Sequence, residues 1–322
     1  MKKLDKKDYL LLDLLGEGSR KGPGRMAKEL KMHKNSVLYR IKRLRRIGVI
    51  KHFTFIPGYA VMGKDTFYVY LRLKLNPEEK EEVYSYLKNH PLTLEVIRLS
   101  GTWSVMIELV CDNLFHFNDE LAKITDYLGT RLSDYETVLI YLPYKVEASI
   151  RFEKDYVEEP FEPVKKHVSL DALDKRILGI LADNSDISYN GLAKKAKTSA
   201  DTAFYRVKKL TGEGVIRKFV PALDVEKMGF QSYIILLKLS DISNEKFESL
   251  KRYIANNRSI NFSFRTAGEL GVVIYCSYKT NRKLDDFLTN LNGAFGDVIK
   301  EQNVIIVSEQ LKHDYFPEGL RK

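Results

Sequence analysis

A chain of 322 residues, 44% hydrophobic and 30% charged, can bury about two to four ordinary cores and is too apolar for wholesale disorder. Its two cysteines, Cys111 and Cys276, lie in apolar stretches, which excludes a disulfide framework and fits a reducing compartment. The net charge of +10 is local: residues 1–60 hold 16 Lys/Arg against 5 Asp/Glu and residues 170–220 hold 10 against 6, the distribution of a nucleic-acid footprint.

From Leu4 to Leu15, Leu11, Leu12 and Leu15 share one helical stripe, and Asp5 and Asp8 stand in the first turn, where the helix dipole favours acids. Gly22-Pro23-Gly24 breaks the chain before a short second helix, Met26 to Leu30. A third helix is predicted from about His33 to Ile47, closed by Gly48. Val37, Ile41 and Leu44 recur at i, i+4 and i+7 and face inward. That turns Lys34, Asn35, Ser36, Tyr39, Arg40, Lys42, Arg43 and Arg46 to solvent, and no acid between Lys31 and Lys64 balances them. Such a face suits base edges and phosphates.

The alternation of Leu71, Leu73 and Leu75 with Arg72 and Lys74 then marks a strand, Phe67 to Leu75. A helix follows from Pro77 with Asn76 as its cap. The runs Leu94 to Leu99 and Val105 to Cys111 flank a turn at Gly101 and read as a hairpin. A helix near Leu114 to Tyr127 and a strand near Val138 to Tyr141 complete a βαββαβ order, whose open sheet face needs covering by a second copy. Residues 151–168, with Pro160 and Pro163 among charges, read as a linker.

From Leu170 the sequence begins again. Residues 4–75 align with 170–241 at a constant offset of 166, and of the 27 pairs from Gly24/Asn190 to Ile50/Ile216 ten are identical, where chance gives roughly two. After one added residue the offset becomes 167, pairing Gly101 with Gly268 and Gly129 with Gly296. The second third helix, about Ser199 to Glu213, presents Thr202, Tyr205, Arg206, Lys208 and Lys209, but also Asp201 and Glu213. The first copy is therefore expected to supply most of the phosphate affinity. The second βαββαβ reads as Tyr233 to Leu239, Glu245 to Ala255, Asn261 to Phe264, Gly271 to Tyr275, Lys283 to Leu291 and Val304 to Val307.

Three stretches, Leu4-Asp5 with Asp8, Tyr39-Arg40-Ile41-Lys42-Arg43-Leu44 and Gly48-Val49-Ile50, with their repeats from Leu170, resemble the Lrp/AsnC, or feast/famine, family of transcriptional regulators over nearly the whole chain. The resemblance implies an α+β fold: a winged helix-turn-helix at 1–60, a ferredoxin-like regulatory domain at 65–150, a second winged helix-turn-helix at 169–226 and a second regulatory domain at 230–322. It also implies a sequence-specific binder of double-stranded DNA, assembled as a homodimer or, because two modules are fused, as an intramolecular pseudo-dimer. Family members often bind an amino acid at the regulatory domains, so Gly101, Thr102, Trp103, Ser104, Gly268 and Glu269 are the candidate small-molecule effector positions. The acid usual in that turn is missing from both copies, which argues against the family's ordinary effector.

No Gly-x-Ser-x-Gly, His-Glu-x-x-His or Cys-x-x-Cys spacing occurs, and the six histidines are scattered. The glycine-rich Gly16 to Gly22 lacks the Gly-Lys-Ser/Thr ending of a phosphate loop and follows a helix. No catalytic residue, metal or cofactor is expected. The charged start Met1 to Asp8 has no apolar core behind it and no run approaches the ~18 apolar residues of a membrane helix, so a cytoplasmic protein without a membrane partner is the expectation. Two alternatives compete: a sirohaem-decarboxylase-like enzyme of the same fold, and a sensing or assembly protein that does not bind DNA.

Overall fold

The computed structural model describes residues 4–147, 149–154, 167–240, 243–266 and 271–322. Most of the segment read as a linker, 155–166, and the effector candidates Gly268 and Glu269 lie outside them.

Helix α1 (Lys6–Gly18) starts at a capping box: the Asp8 backbone N–H donates to the Asp5 carboxylate and the Asp5 N–H to that of Asp8, both at 2.9 Å. α2 (Pro23–Glu29) and α3 (Lys34–Arg46) follow, and Leu11, Leu15, Met26, Val37 and Leu44 close around one core. Gly48, at φ 74°, ends α3 in the left-handed conformation that glycine adopts without strain. The chain leaves this head along β1 (Ile50–Pro57).

The first sheet unit comprises β2 (Asp65–Leu73), α4 (Pro77–Asn89), β3 (Thr93–Ser100), β4 (Val105–Cys111), α5 (Leu114–Leu128) and β5 (Leu132–Val146). α4 opens on the expected Asn76, which accepts from the Glu79 N–H at 2.8 Å. The second head holds α6 (Ala172–Asp183), α7 (Tyr189–Ala196), α8 (Ala200–Gly212) and β6 (Ile216–Leu223). Its sheet unit runs β7 (Gln231–Leu239), α9 (Asn244–Asn256), β8 (Ile260–Thr266), β9 (Val272–Tyr278), α10 (Asn281–Phe295) and β10 (Ile299–His313), before a last turn, α11 (Glu318–Arg321).

The two copies interlock twice. β1 and β6 pair antiparallel, with Phe55 opposite Phe219 and Thr54 opposite Val220. Each strand also feeds the other head: Phe55 packs with Ile177, Leu178 and Leu181, while Leu223 packs against the core of the first head. The sheets then join edge to edge into a closed eight-stranded barrel, in the order β10-β3-β4-β2-β5-β8-β9-β7. Closure leaves the barrel itself without an open edge, the usual site of unwanted association. The apolar interior holds Tyr68, Tyr70, Met106, Leu236, Phe264 and Ile305, and the helices cover the outside.

Two strands make that closure, and both outrun their sequence signal. The final strands were expected at Val138 to Tyr141 and Val304 to Val307, but each spans 15 residues. β5 pairs with β2 over Leu132 to Leu139 and then with β8 from Ile140, and β10 passes from β7 to β3 at Ile306. The extensions are polar at most positions because they cross between sheets, where only short stretches meet a core.

Candidate nucleic-acid interface

α3 and α8 are the third helices of the two heads. On α3, Lys34, Asn35, Tyr39, Lys42 and Arg46 are exposed, with Tyr39 at 64%. Ser36 is half-buried in the first turn. On α8 the equivalents Tyr205 (67% exposed), Lys208 and Lys209 face solvent, whereas Thr202 is half-buried and its N–H donates to the capping Ser199 at 3.1 Å. The two helices differ at three of these positions, where Lys34, Asn35 and Arg46 correspond to Ala200, Asp201 and Gly212.

Three arginines expected on the outer face do not stand free in solvent. Arg40 turns back onto α1, donating to Asp5 at 2.9 Å and to Asp8 at 2.6 Å, and Arg43 donates to the other oxygen of Asp8. Asp8 is fully buried, and the two arginine side chains are only 18% and 13% exposed. Burial works against these charges, yet the Arg40 guanidinium and the Asp8 N–H hold the Asp5 carboxyl below its usual range. Arg206 likewise donates to Asp171 and, at 3.0 Å, to Asp174, and the Asp174 N–H together with this guanidinium keeps the Asp171 carboxyl below its usual range. A carboxylate pair at the helix start is negative enough to capture any long cation passing within reach. Helical periodicity gives the side on which an arginine leaves its helix, but not where six atoms of side chain end.

Sequence reasoning also missed what fixes the heads relative to one another. Arg20, in the loop after α1, donates to the carbonyls of Ser185 (2.8 Å) and Ile187 (3.0 Å) of the second head and stacks over Phe219 and Tyr189. Arg45 reaches Asp186 at 3.0 Å. The only signal was a basic loop placed between two helices.

The effector candidates of the first copy are occupied by structure. Gly101 and Thr102 are exposed, but Trp103 is buried against Tyr70 with Arg72 over its ring, and the Ser104 hydroxyl accepts from the Leu73 N–H at 3.0 Å. A different space is open. A cavity of about 940 Å³ lies between the β1–β6 ribbon and the mouth of the barrel, reached by Tyr59 and Lys51 from the ribbon side and by Tyr68 and Ile97 from the barrel. Its lining carries the cations Lys51, Lys64, Arg217 and Lys312 against seven Asp/Glu. Among the described residues no cluster of His, Cys, Asp and Glu could hold a metal ion, and no helix is long and apolar enough to cross a membrane.

Residues 170–217 match a family model described as winged helix-turn-helix DNA-binding. The chain is 27% identical over 149 residues to an uncharacterised HTH-type transcriptional regulator of Pyrococcus furiosus, a match that covers 97% of that protein and 46% of this one. It is 27% identical over 128 residues to the HTH-type transcriptional regulator LrpA of Bacillus subtilis, covering 90% of it and 38% of this chain. One whole relative therefore corresponds to about half of the chain. Among solved structures, siroheme decarboxylase NirDL superimposes with a TM-score of 0.64 at 14% identity, over 98% of this chain and 96% of the other. That likeness is one of fold.

Proposed function

We propose, for a chain made of two fused modules of the Lrp/AsnC family, that it is a sequence-specific transcriptional regulator in which one polypeptide does the work of a dimer, with α3 and α8 as its DNA-reading helices. The observation that carries the reading is the outer face of α3, where Lys34, Asn35, Tyr39, Lys42 and Arg46 stand exposed with no acidic side chain on the helix. Amide and phenol groups can read base edges while the cations hold phosphates. The ribbon, Arg20 and Arg45 fix the second helix at a set spacing from the first, which supports a bipartite site with half-sites about one helical turn apart or a multiple of it. Because α8 carries Ala200, Asp201 and Gly212 where α3 carries Lys34, Asn35 and Arg46, two cations are gone and an acid is gained, so the two halves of the site differ and the α3 half carries more of the affinity. Selection of bound duplexes from a random pool tests this. The expected result is one strong and one weaker half-site at fixed separation; recovery of no enriched sequence at low salt overturns it.

One observation favours a second reading, an enzyme acting on a sirohaem-type tetrapyrrole: the NirDL likeness runs through both modules. Against it, the cavity lining holds more acids than cations, a poor match to a macrocycle that bears many carboxylates. Titration with sirohaem separates the two, because a bound macrocycle shifts its visible absorption bands.

A further inference from the structure

The cavity is not two-fold symmetric, although the barrel around it is close to being so. On β3 and β4, Glu95 and Glu108 are direct antiparallel neighbours and both line the space. The offset of 167 relates them to Phe262 and Tyr275, which are neighbours on β8 and β9 and line it from the second sheet. One wall is thus doubly acidic and its counterpart aromatic.

The acidic wall is incomplete as it stands. Like charges directly opposite on paired strands destabilise a sheet. Glu95 finds Gln310, whose amide donates at 2.7 Å, with His313 3.7 Å away. Glu108 has no ion pair among the described residues; burial and the charge of Glu95 push its carboxyl up to about 8, against which the Tyr68 hydroxyl is its one favourable contact. Across the space, the Tyr275 hydroxyl is shut off from solvent and meets no partner in hydrogen-bond geometry, though the Tyr70 hydroxyl is beside it. Tyr275 and Phe262 lie with ring centroids 5.9 Å apart, and Tyr68 is 5.9 Å from Tyr275.

We infer that this cavity is a binding site for an organic cation, an amine with an aromatic or otherwise apolar body, held with its ammonium between Glu95 and Glu108 and its body against Phe262 and Tyr275. A cation placed there lets Glu108 release its proton to solvent and stand charged beside Glu95, and the rings opposite supply apolar area and cation–π attraction. A volume of about 940 Å³ lies within the range of small-molecule sites. Two identical chains would build two acidic walls or two aromatic ones. The fused pair holds one of each around one cavity, so the stoichiometry is one ligand per chain. The site stands whether or not the heads bind DNA, because it is measured without DNA.

The test is titration calorimetry of the full chain with 9-aminoacridine and tryptamine as cations, and with acridine and acridine-9-carboxylate as the neutral and anionic counterparts of the first. The expected result is saturable binding of at least one cation at one per chain, at least tenfold weaker binding of acridine, and none of the carboxylate. Glu108→Gln weakens the cation at least tenfold. Glu95→Gln does so too, and Tyr275→Ala also weakens the cation by removing a ring that its body lies against, so one variant that fails to fold leaves two others. Equal binding of the anion, an unchanged affinity in both glutamine variants, or no binding by either cation overturns the assignment; a tetrapyrrole that binds where the amines do not overturns it in favour of the enzyme reading.

Discussion

Replacing Asp8 by Asn keeps the size of the side chain and removes the charge that Arg40 and Arg43 share. Asp8 is fully buried and both arginines are largely so. The substitution therefore leaves Arg43 with no carboxylate and Arg40 with Asp5 alone, a carboxylate whose side chain is half exposed. Breaking a buried pair costs about 3–5 kcal/mol, and the residual exposure of the arginines places this case near 2–4 kcal/mol. The second head is an internal control. There Asp174 receives Arg206 alone, whose side chain is 30% exposed and keeps Asp171, while the residue matching Arg43 is the exposed Lys209, which faces Glu213 at 4.0 Å. Asp174→Asn should cost only about 1 kcal/mol. Native-state hydrogen exchange on the full chain reads the opening free energy of α1–α3 and of α6–α8 separately. The expected result is a loss confined to the first head in Asp8→Asn, with Arg43→Gln costing less in that background than in the wild type. Equal losses in both heads, or an Asp8→Asn protein as protected as the parent, would show that the arginines are free for phosphate and that the clamp is incidental.

The remaining predictions separate contact, geometry and charge. Lys42→Ala and Arg46→Ala should leave the melting temperature unchanged and each flatten the dependence of log binding constant on log salt by about 0.9, measured by fluorescence anisotropy with a selected duplex; Lys208→Ala should flatten it by no more than that. Arg20→Ala removes two charged hydrogen bonds to the second head and its ring stacking, loosening the coupling by about 2–3 kcal/mol; binding across a series of half-site spacings should then become less selective, whereas an unchanged optimum of unchanged sharpness counts against the ribbon and Arg20 as the ruler. Glu108, facing Tyr68 from β2 and Glu95 from β3, has its folded pKa raised from 4.5 to about 8. Between those values the folded chain holds a proton that the unfolded chain releases, so stability falls as pH rises through the window, by at most about 5 kcal/mol. Thermal melts from pH 5 to 8.5 should show Glu108→Gln losing that decline and exceeding the wild type at the alkaline end; parallel curves contradict the assignment.

Much of the architecture was legible because the repeat made every local signal appear twice. Leu4-Asp5 with Asp8 and Leu170-Asp171 with Asp174 gave both helix starts, and the left-handed turns at Gly48 and Gly214 ended both third helices. The barrel was legible only as a need, since a βαββαβ order leaves one sheet face open and does not say what covers it. The β1–β6 ribbon was not legible at all. Ile50 to Pro57 is buried over most of its length, partly against the other head, and nothing in a run of apolar residues names the partner.

The chemical sites divide the same way. Exposed positions such as Tyr39 and Lys42 follow from the helical period alone, and both stand exposed on α3. Arg40, Arg43 and Arg206 obey that same period yet end on carboxylates contributed by another helix, a contact set by tertiary distance. Glu95 and Glu108 were hidden for a different reason. Glu95 is one of two charged residues within Leu94 to Leu99 and Glu108 the one polar residue within Val105 to Cys111, and a strand with one wet face looks the same. Their meaning appears only when the two copies are laid over each other and the matching positions prove to be Phe262 and Tyr275. Once two copies of a symmetric site share one chain, each half is free to change by itself. A charge on one side with a ring on the other is an outcome that substitution in a homodimer, which alters both halves together, cannot reach. The comparison most informative about function in a fused repeat is therefore between its halves, at the positions where identity is lost inside a shared cavity.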